Sequence, residues 1–219
     1  LFNLFDLNGE VFNIPFELDY QNIINSQKKI KIKAPDLKLE IINKVFKKDE
    51  DSGNGINNIS ILNSFMNTKY SIKDQVVIFQ SDGSRVFNSK INYNGQLAIN
   101  PFDLNLKVNI DNYRISNLFK PNSIINEFIK SGLLFNENIS VHTLVNIKST
   151  KKDEIFNEAK LELRVLNGKI SFDKSVFINN NIGLMEISKS DLFLENDRLI
   201  LTANLSIDIK NTDKLYSFL

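Results

Sequence analysis

The end of the chain carries the pattern that most constrains its fold. In residues 199–209, apolar residues occupy every second position, and the residues between them are mostly polar. Successive side chains of a strand point to opposite faces, so this pattern predicts one long strand with an apolar face and a polar, solvent-facing face. The apolar positions are Leu199, Leu201, Ala203, Leu205, Ile207 and Ile209. Such a strand must hide its apolar side against a second sheet, a helix or a bound apolar ligand.

Composition limits the classes of protein that this chain can belong to. The 219 residues are 42% hydrophobic, which is enough to bury a core in one large all-β unit or in two small domains. The formal net charge of +1 gives no reason to expect binding to nucleic acid. The chain has no cysteine, which excludes disulfides, zinc–cysteine sites and thiol nucleophiles.

Membrane and targeting signals are missing from the sequence itself. No run of about 18 apolar residues could span a bilayer as a helix, and the chain has no recognisable signal peptide. We therefore expect residues 1–219 to be a segment of a longer protein, with any anchor outside this chain.

Alternating segments recur along most of the chain and predict a mainly β fold. The joins at Asn94-Gly95 and Asn167-Gly168 are typical of tight hairpins, so we expect an antiparallel sheet. Strands are predicted at 9–20, 28–43, 75–80, 86–93, 96–100, 103–112, 138–148, 158–166, 169–173, 182–187, 190–195 and 198–210.

Two segments predict short helices, and one predicts a loop. Residues 47–58 are charged and glycine-rich, which favours an exposed loop. Four apolar residues at helical spacing predict a helix at 57–67, and a second helix is predicted at 121–132, with proline at its start and Gly132 at its end. The residues at helical spacing in the first segment are Ile59, Leu62, Phe65 and Met66.

Residues with catalytic or metal-binding chemistry do not form a recognisable site. His142 is the only histidine, and no second ligand or nucleophile accompanies it in the sequence. The acidic run 49–51 lacks the spacing of a calcium loop, and the carboxylates at 153–154 and at 195 and 197 fall at predicted turns. We therefore predict no catalytic residue, no metal site and no cofactor, and interpret the chain as non-enzymatic.

Three local patterns resemble one family of bacterial envelope proteins. A Gly-x-x-x-x-x-Pro-Phe segment begins at Gly9 and again at Gly95. A third pattern, in 117–140, places a short helix before Ser-Gly-Leu-Leu-Phe-Asn at 131–136. Together these patterns resemble the AsmA-like family of Gram-negative bacteria, which includes the TamB and YhdP relatives.

The resemblance implies a fold, a location and a function. It implies a long curved β-sheet, shaped as an open groove or trough, in the periplasm and anchored in the inner membrane outside this chain. It also implies outer-membrane biogenesis through transport of phospholipid between the inner and outer membranes, with acyl chains held on the apolar face. On this interpretation the alternating residues of two strands are candidates to line the groove. They are Leu104, Leu106, Val108, Ile110, Leu199, Leu201, Leu205, Ile207 and Ile209.

Two other classes of function are compatible with the same strands. A closed β-sandwich that serves in binding or adhesion would bury the apolar faces against each other, about 10 Å apart. A carbohydrate-active or other hydrolytic β-domain would need a pocket with perturbed carboxylates.

Overall fold

A computed structural model describes residues 4–11, 14–23, 27–47, 52–120, 123–196 and 198–217. The chain divides into two compact units, Leu1–Asn100 and Pro101–Leu219, here called unit 1 and unit 2. Most described residues lie in strands, and the described residues contain only two short α-helices, both in unit 2. The prediction of a mainly β fold with two short helices is therefore confirmed.

Unit 1 is an antiparallel sheet in which strands that follow each other along the chain lie side by side. Its strand order is β1-β2-β3-β4-β5-β6-β7-β9, and β8 bridges β6 and β9. The strands are β1 (Leu4–Val11), β2 (Ile14–Ile23), β3 (Gln27–Ala34), β4 (Leu39–Lys47), β5 (Ser52–Ile61), β6 (Ser64–Lys73), β7 (Val76–Ser81), β8 (Ser84–Val86) and β9 (Ser89–Ala98).

The turn between β3 and β4 explains a change of phase in the sequence. Residues Pro35–Leu37 form a single 3-10 turn, and Lys38 follows with a positive φ of 49°. The chain reverses there, so that Ile32 pairs with Ile41 on one face of the sheet. Residues 28–43, predicted as one strand, therefore form a hairpin that keeps the apolar residues of both strands together.

The loop and the first helix predicted from the sequence are both wrong. Residues from Ser52 onward form β5, a two-residue turn follows, and β6 begins at Ser64, while 48–51 lie outside the described residues. Gly55 is buried beneath the Tyr70 ring, and an added Cβ would collide with that ring. The glycines that favoured a loop therefore make room for a neighbouring strand.

The predicted hairpin at Asn94-Gly95 is also wrong. Both residues lie inside β9, where Gly95 pairs with Phe79 of β7. The reversals in this region occur instead at 74–75, 82–83 and 87–88, between strands that the structure describes. Asp74, Gln75 and Phe87 adopt positive φ in these turns without being glycine.

Unit 2 combines seven strands with the two helices. Its strands are β10 (Phe102–Asp111), β11 (Ile139–Lys148), β12 (Glu158–Leu166), β13 (Lys169–Ser171), β14 (Ser175–Asn179), β15 (Gly183–Glu195) and β16 (Arg198–Ile209). The helices are α1 (Ile124–Lys130) and α2 (Thr212–Tyr216), and further 3-10 turns occur at Ile115–Phe119 and Leu133–Phe135. The predicted helix at 121–132 therefore exists over a shorter range, and its first two residues lie outside the described residues.

One strand pair departs from the predicted antiparallel sheet. Strands β10 and β11 are parallel neighbours, with Leu104 opposite Val141 and Ile110 opposite Ile147. The connection between them, residues 112–138, contains α1 and two 3-10 turns. A crossover of this length returns the chain to the end where it started, so the second strand runs in the same direction as the first.

The remaining pairs of unit 2 are antiparallel, and β12 and β13 form a tight hairpin. Asn167 and Gly168 join β12 to β13 with positive φ at both residues, as the sequence predicts. Strand β15 covers both segments predicted at 182–187 and 190–195, and a bulge between Ser188 and Asp191 separates them. The sequence analysis did not anticipate β14.

Candidate functional site

Every second residue of the unit 1 strands faces one apolar side of its sheet. Directly opposed residues in a ladder share a face, so the register alone identifies this side. Its central row crosses six neighbouring strands and consists of Leu7, Leu18, Ile32, Ile41, Ile59 and Met66. We call this the unit 1 apolar row. At about 4.8 Å between strands, the row is about 24 Å long.

No helix or second sheet within the described residues of unit 1 packs over this row. The only helical element there is the three-residue turn at Pro35–Leu37. Leu7 is exposed, and the other five members of the row are half-buried by their neighbours in the same sheet. The unit 1 apolar row is thus a surface of hydrocarbon that its own unit leaves without a covering layer.

Polar side chains lie beside this row on the same face. The Tyr70 hydroxyl donates to Asn43 Oδ1 at 2.8 Å, and the Thr68 hydroxyl lies 2.6 Å from the Tyr93 hydroxyl. Burial raises the pKa of Tyr70, so its hydroxyl keeps its proton and remains a donor at neutral pH. These bonds join strands that are distant in the sequence, and they mark the boundary of the apolar surface.

The opposite face of unit 1 carries most of the charged side chains of its strands. Lys33 of β3 lies between Glu17 of β2 and Glu40 of β4, and the Lys31 ammonium is 3.2 Å from the Glu40 carboxylate. This alternation of one apolar and one charged face is what the sequence predicts for two-faced strands.

The register of unit 2 places all nine predicted groove residues on one face. The β10 residues oppose Val141, Thr143, Val145 and Ile147 of β11, which oppose apolar residues of β12. Ala159 opposes Phe177, Phe177 opposes Met185, and Met185 opposes Ile207 of β16. This face of the unit 2 sheet, from β10 to β16, is called the unit 2 apolar face.

One end of the unit 2 apolar face is covered by the crossover connection. Val165, Ile170 and Leu192 form a buried cluster beneath α1 and the 3-10 turn that follows it. The covering side chains are Ile129, Leu134 and Phe135, with Val141, Leu163 and Phe172 beside the cluster. This part of the face is a filled core.

The other end of the face is covered by two aromatic side chains. The ring centroid of Phe177 lies 5.7 Å from that of Phe119 and 5.4 Å from that of Phe156. Phe119 comes from the crossover connection, and Phe156 comes from the loop between β11 and β12. Both ends of the face are therefore capped by residues outside the sheet.

The nine predicted groove residues fall into three levels of exposure. Val108 and Ile110 are buried, while Leu104 and Leu106 are half-buried. The β16 residues are exposed, and three of them keep most of their surface: Leu201 is 62% exposed, Leu205 62% and Ile207 66%. Leu199 and Ile209 are also exposed.

His142 lies on the polar face of the unit 2 sheet. Its Nε2 is 3.1 Å from Glu162 Oε1, and the same carboxylate accepts hydrogen bonds from Arg164. Desolvation acts to raise the pKa of Glu162, but hydrogen bonds and charge from Arg164 and His142 give a net lowering. The cluster joins neighbouring strands β11 and β12, and the Ser175 hydroxyl bonds to the backbone N–H and C=O of Glu162, not to its carboxylate.

The carboxylates at 153 and 154 have different surroundings. Asp153 is exposed, and the hydrogen bond from Arg114 lowers its pKa. Glu154 is buried and accepts bonds from the Ser116 N–H at 3.0 Å and the Ser116 hydroxyl at 2.7 Å. Both carboxylates therefore fasten the β11–β12 loop to the start of the crossover connection.

A polar pocket of about 310 Å³ lies next to that loop. Lysine, asparagine and serine side chains line most of it, including Lys151, Lys152 and Lys214. Within the described ranges, no three histidine or acidic side chains are grouped so that they could hold a metal ion. The acidic run 49–51 and Asp197 lie outside those ranges.

The sequence analysis did not identify the unit 1 apolar row as a candidate site. The signal was present, since Ile30 and Ile32 alternate with three lysines in 28–33. The longer uninterrupted alternation of β16 favoured unit 2 instead.

Neither a scan of protein-family models nor a search of curated protein sequences finds a match. In the part of the chain that the structure describes, no helix has the length and apolar character needed to cross a membrane.

Proposed function

We propose that this chain is a non-enzymatic segment of a lipid-conducting β-groove, and that its apolar faces hold phospholipid acyl chains during transport between the inner and outer membranes. The observation that carries the proposal is the unit 1 apolar row, which no other element covers among the described residues of its unit. Exposed apolar patches of this kind mark binding surfaces in soluble proteins. The proposed location is the periplasm, with an inner-membrane anchor outside this chain.

Acyl chains match the chemistry of the row. Transfer of hydrocarbon from water stabilises a complex by about 0.8 kcal/mol per buried methylene, so a long chain needs no polar anchor. The row runs across the strands, and its length of about 24 Å is enough to accommodate an extended acyl chain of about 16 to 18 carbons. The charged opposite face stays in water, which keeps the sheet soluble while its apolar face binds lipid.

The closed β-sandwich remains the alternative, and it makes a different prediction for the same residues. In a sandwich, protein side chains would cover the row and exclude lipid. Each unit contains a single sheet within the residues that the structure describes, so neither unit forms a sandwich by itself.

A photo-crosslinking pair tests the proposal. Ile41 and Ile42 are adjacent in β4, yet Ile41 opposes Ile59 on the apolar side and Ile42 opposes Asn58 on the charged side. A photoreactive amino acid at Ile41 should crosslink to phospholipid in cells or in the presence of vesicles, whereas the same group at Ile42 should not. Equal crosslinking at both positions, or crosslinking only to protein, would contradict the proposal.

A further inference from the structure

The outer edge of β16 is a long and unprotected strand edge. Of the strands that the structure describes, only β15 pairs with β16, along its full length from Arg198 to Ile209. Folded proteins usually protect edges with lysine, proline, bulges or short strands. Strand β16 contains no lysine and no proline, and the bulge in this hairpin lies in β15.

The chain after β16 does not fold back along this edge. The N–H groups of Lys210 and Asn211 both donate to the Ile182 carbonyl, at 2.7 and 3.2 Å. Ile182 lies just before β15, so the chain turns toward the inner side of the hairpin and enters α2 there. In the part of the chain that the structure describes, no backbone hydrogen bond reaches the outer side of β16, and residues 201–209 are exposed.

The sequence of β16 is self-complementary about Ala203. If a second copy approached antiparallel with a two-fold axis at this residue, apolar residues would oppose apolar residues on one face. On the polar face, Arg198 of each copy would oppose Asp208 of the other. The pairs in this register are Arg198 with Asp208, Leu199 with Ile207, Ile200 with Ser206, Leu201 with Leu205, Thr202 with Asn204, and Ala203 with itself.

From this complementarity we infer that two copies of the chain associate through β16, forming a continuous antiparallel sheet across a two-fold axis. In a two-fold interface residue i meets j while j meets i, so each favourable pair about Ala203 would occur twice. Among the described residues, neither Arg198 nor Asp208 takes part in an ion pair within the chain, although the register places Glu195 opposite Arg198. The inference does not depend on lipid binding.

The pairing leaves the unit 2 apolar face accessible. Association through a strand edge uses backbone hydrogen bonds, and side chains still point to the two faces. Leu199 and Leu201 would gain apolar neighbours beside them from the second copy, and the exposed row of β16 would become the middle of a wider apolar surface.

Sedimentation velocity of the full chain tests the inference. We expect a concentration-dependent dimer, which Ala203→Lys should abolish because it places two ammonium groups directly opposite each other. The matched control is Ile78→Lys in β7, a strand residue that is 60% exposed and far from β16 in sequence. The inference fails if the wild-type chain is monomeric at all concentrations, if Ala203→Lys dimerises as the wild type does, or if the chain forms open-ended polymers.

Charge reversal tests the register without touching the apolar face. Arg198→Glu alone and Asp208→Arg alone should each weaken the dimer about tenfold, since each creates two like-charge pairs. An equimolar mixture of these two single variants should restore association, because every cross-strand pair then has opposite charges. A mixture that associates no better than either variant alone would contradict this register.

A single introduced cysteine tests the position of the two-fold axis directly. The chain has no cysteine, so Ala203→Cys introduces one thiol per copy. Oxidation should give a disulfide-linked dimer for Ala203→Cys, whose two thiols would lie directly opposite each other. Leu201→Cys should give none, because the two thiols would be offset by four residues along the paired strands. Preferential linkage through Leu201→Cys would overturn the proposed axis.

Discussion

Unit 1 and unit 2 use the same two-faced strands but connect them differently. Unit 1 is joined by short turns, and in its described residues only the three-residue turn at Pro35–Leu37 is helical. Unit 2 has a 27-residue crossover, 112–138, whose helix and turns pack onto the sheet. The comparison shows that long connections supply the cover for an apolar face. Where connections are short, the apolar face of the sheet stays uncovered unless a partner or a ligand binds to it.

The first prediction contrasts a filled face with an uncovered one. Ile170 of unit 2 is fully buried, so Ile170→Asp should lower the free energy of unfolding of unit 2 by more than about 4 kcal/mol. Leu205→Asp, in the exposed row of β16, should cost less than about 1 kcal/mol. Urea unfolding followed by circular dichroism measures both.

The same measurement extends the contrast to unit 1. Ile41→Asp should fall between those two values, because Ile41 is half-buried by its own sheet alone. If all three variants lost the same stability, the distinction between covered and uncovered faces would be wrong.

The second prediction concerns two glycines with different neighbours. A Cβ added at Gly183 of unit 2 would collide with the Asp208 carbonyl, and the φ of +153° is one that side chains rarely adopt. Gly183→Ala should therefore destabilise unit 2 by about 3 kcal/mol, by separating β15 from β16.

Gly55→Ala in unit 1 is the matched comparison. Its added Cβ would meet the Tyr70 side chain, which can rotate away at the cost of its bond to Asn43. The loss of unfolding free energy caused by Gly55→Ala should be smaller, about 1–2 kcal/mol. It should be smaller still when Gly55→Ala is made in a chain that already carries Tyr70→Leu. A larger loss at Gly55 than at Gly183 would show that the ring is fixed more firmly than the backbone of β16.

The third prediction concerns the attachment of the β11–β12 loop that covers one end of the unit 2 face. Glu154→Gln should cost about 1–3 kcal/mol, because the buried carboxylate accepts two bonds from Ser116. Arg114 contacts both Glu154 and its neighbour Asp153, and Asp153 is exposed. Asp153→Asn should therefore lower the thermal unfolding midpoint at neutral pH much less than Glu154→Gln does, and equal losses for both variants would contradict the assigned roles.

The fourth and smallest prediction concerns the bulge in β15. Asp173 Oδ1 accepts bonds from the Ser190 N–H at 2.7 Å and from the Ser190 hydroxyl at 3.0 Å. The Ser190 backbone bond is the largest of the influences that together lower the pKa of Asp173. A lowered folded-state pKa stabilises the fold above the unfolded pKa of about 3.9, and this contribution is lost as the pH falls through the folded value.

Acid titration of the unfolding midpoint tests this assignment. Asp173→Asn should cost about 1 kcal/mol at neutral pH and should show a shallower loss of stability below about pH 4 than the wild type. An identical acid profile for the two proteins would exclude Asp173 as a contributor.

Local alternation predicted much of the strand content of this chain. Strand β12 has the predicted bounds 158–166, and β16 ends one residue from its predicted end. Both segments alternate without interruption, and period-two alternation is a property of the sequence that needs no knowledge of neighbours. The same alternation, combined with the register, places the nine predicted groove residues on one face.

The errors arose where a distant residue determines the local structure. The glycines of β5 are typical of a loop in the sequence, but in the structure Gly55 lies under the Tyr70 ring. The spacing from Ile59 to Met66 is typical of a helix, but in the structure these two residues pair across a hairpin. The cover of the unit 2 face could not be predicted either. It depends on where the crossover and the β11–β12 loop pack, which is a tertiary property.

Native mass spectrometry of the chain purified from a bacterial host tests the central claim most directly. If the unit 1 apolar row is open to lipid, the spectrum should contain protein with bound phospholipid, identified by the mass of the released ligand. Replacing Ile32 and Ile41 with aspartate should reduce that fraction, whereas replacing Lys31 and Ile42 of the charged face should not. A spectrum of lipid-free protein under conditions that preserve the fold, or equal lipid binding by both double variants, would contradict the account.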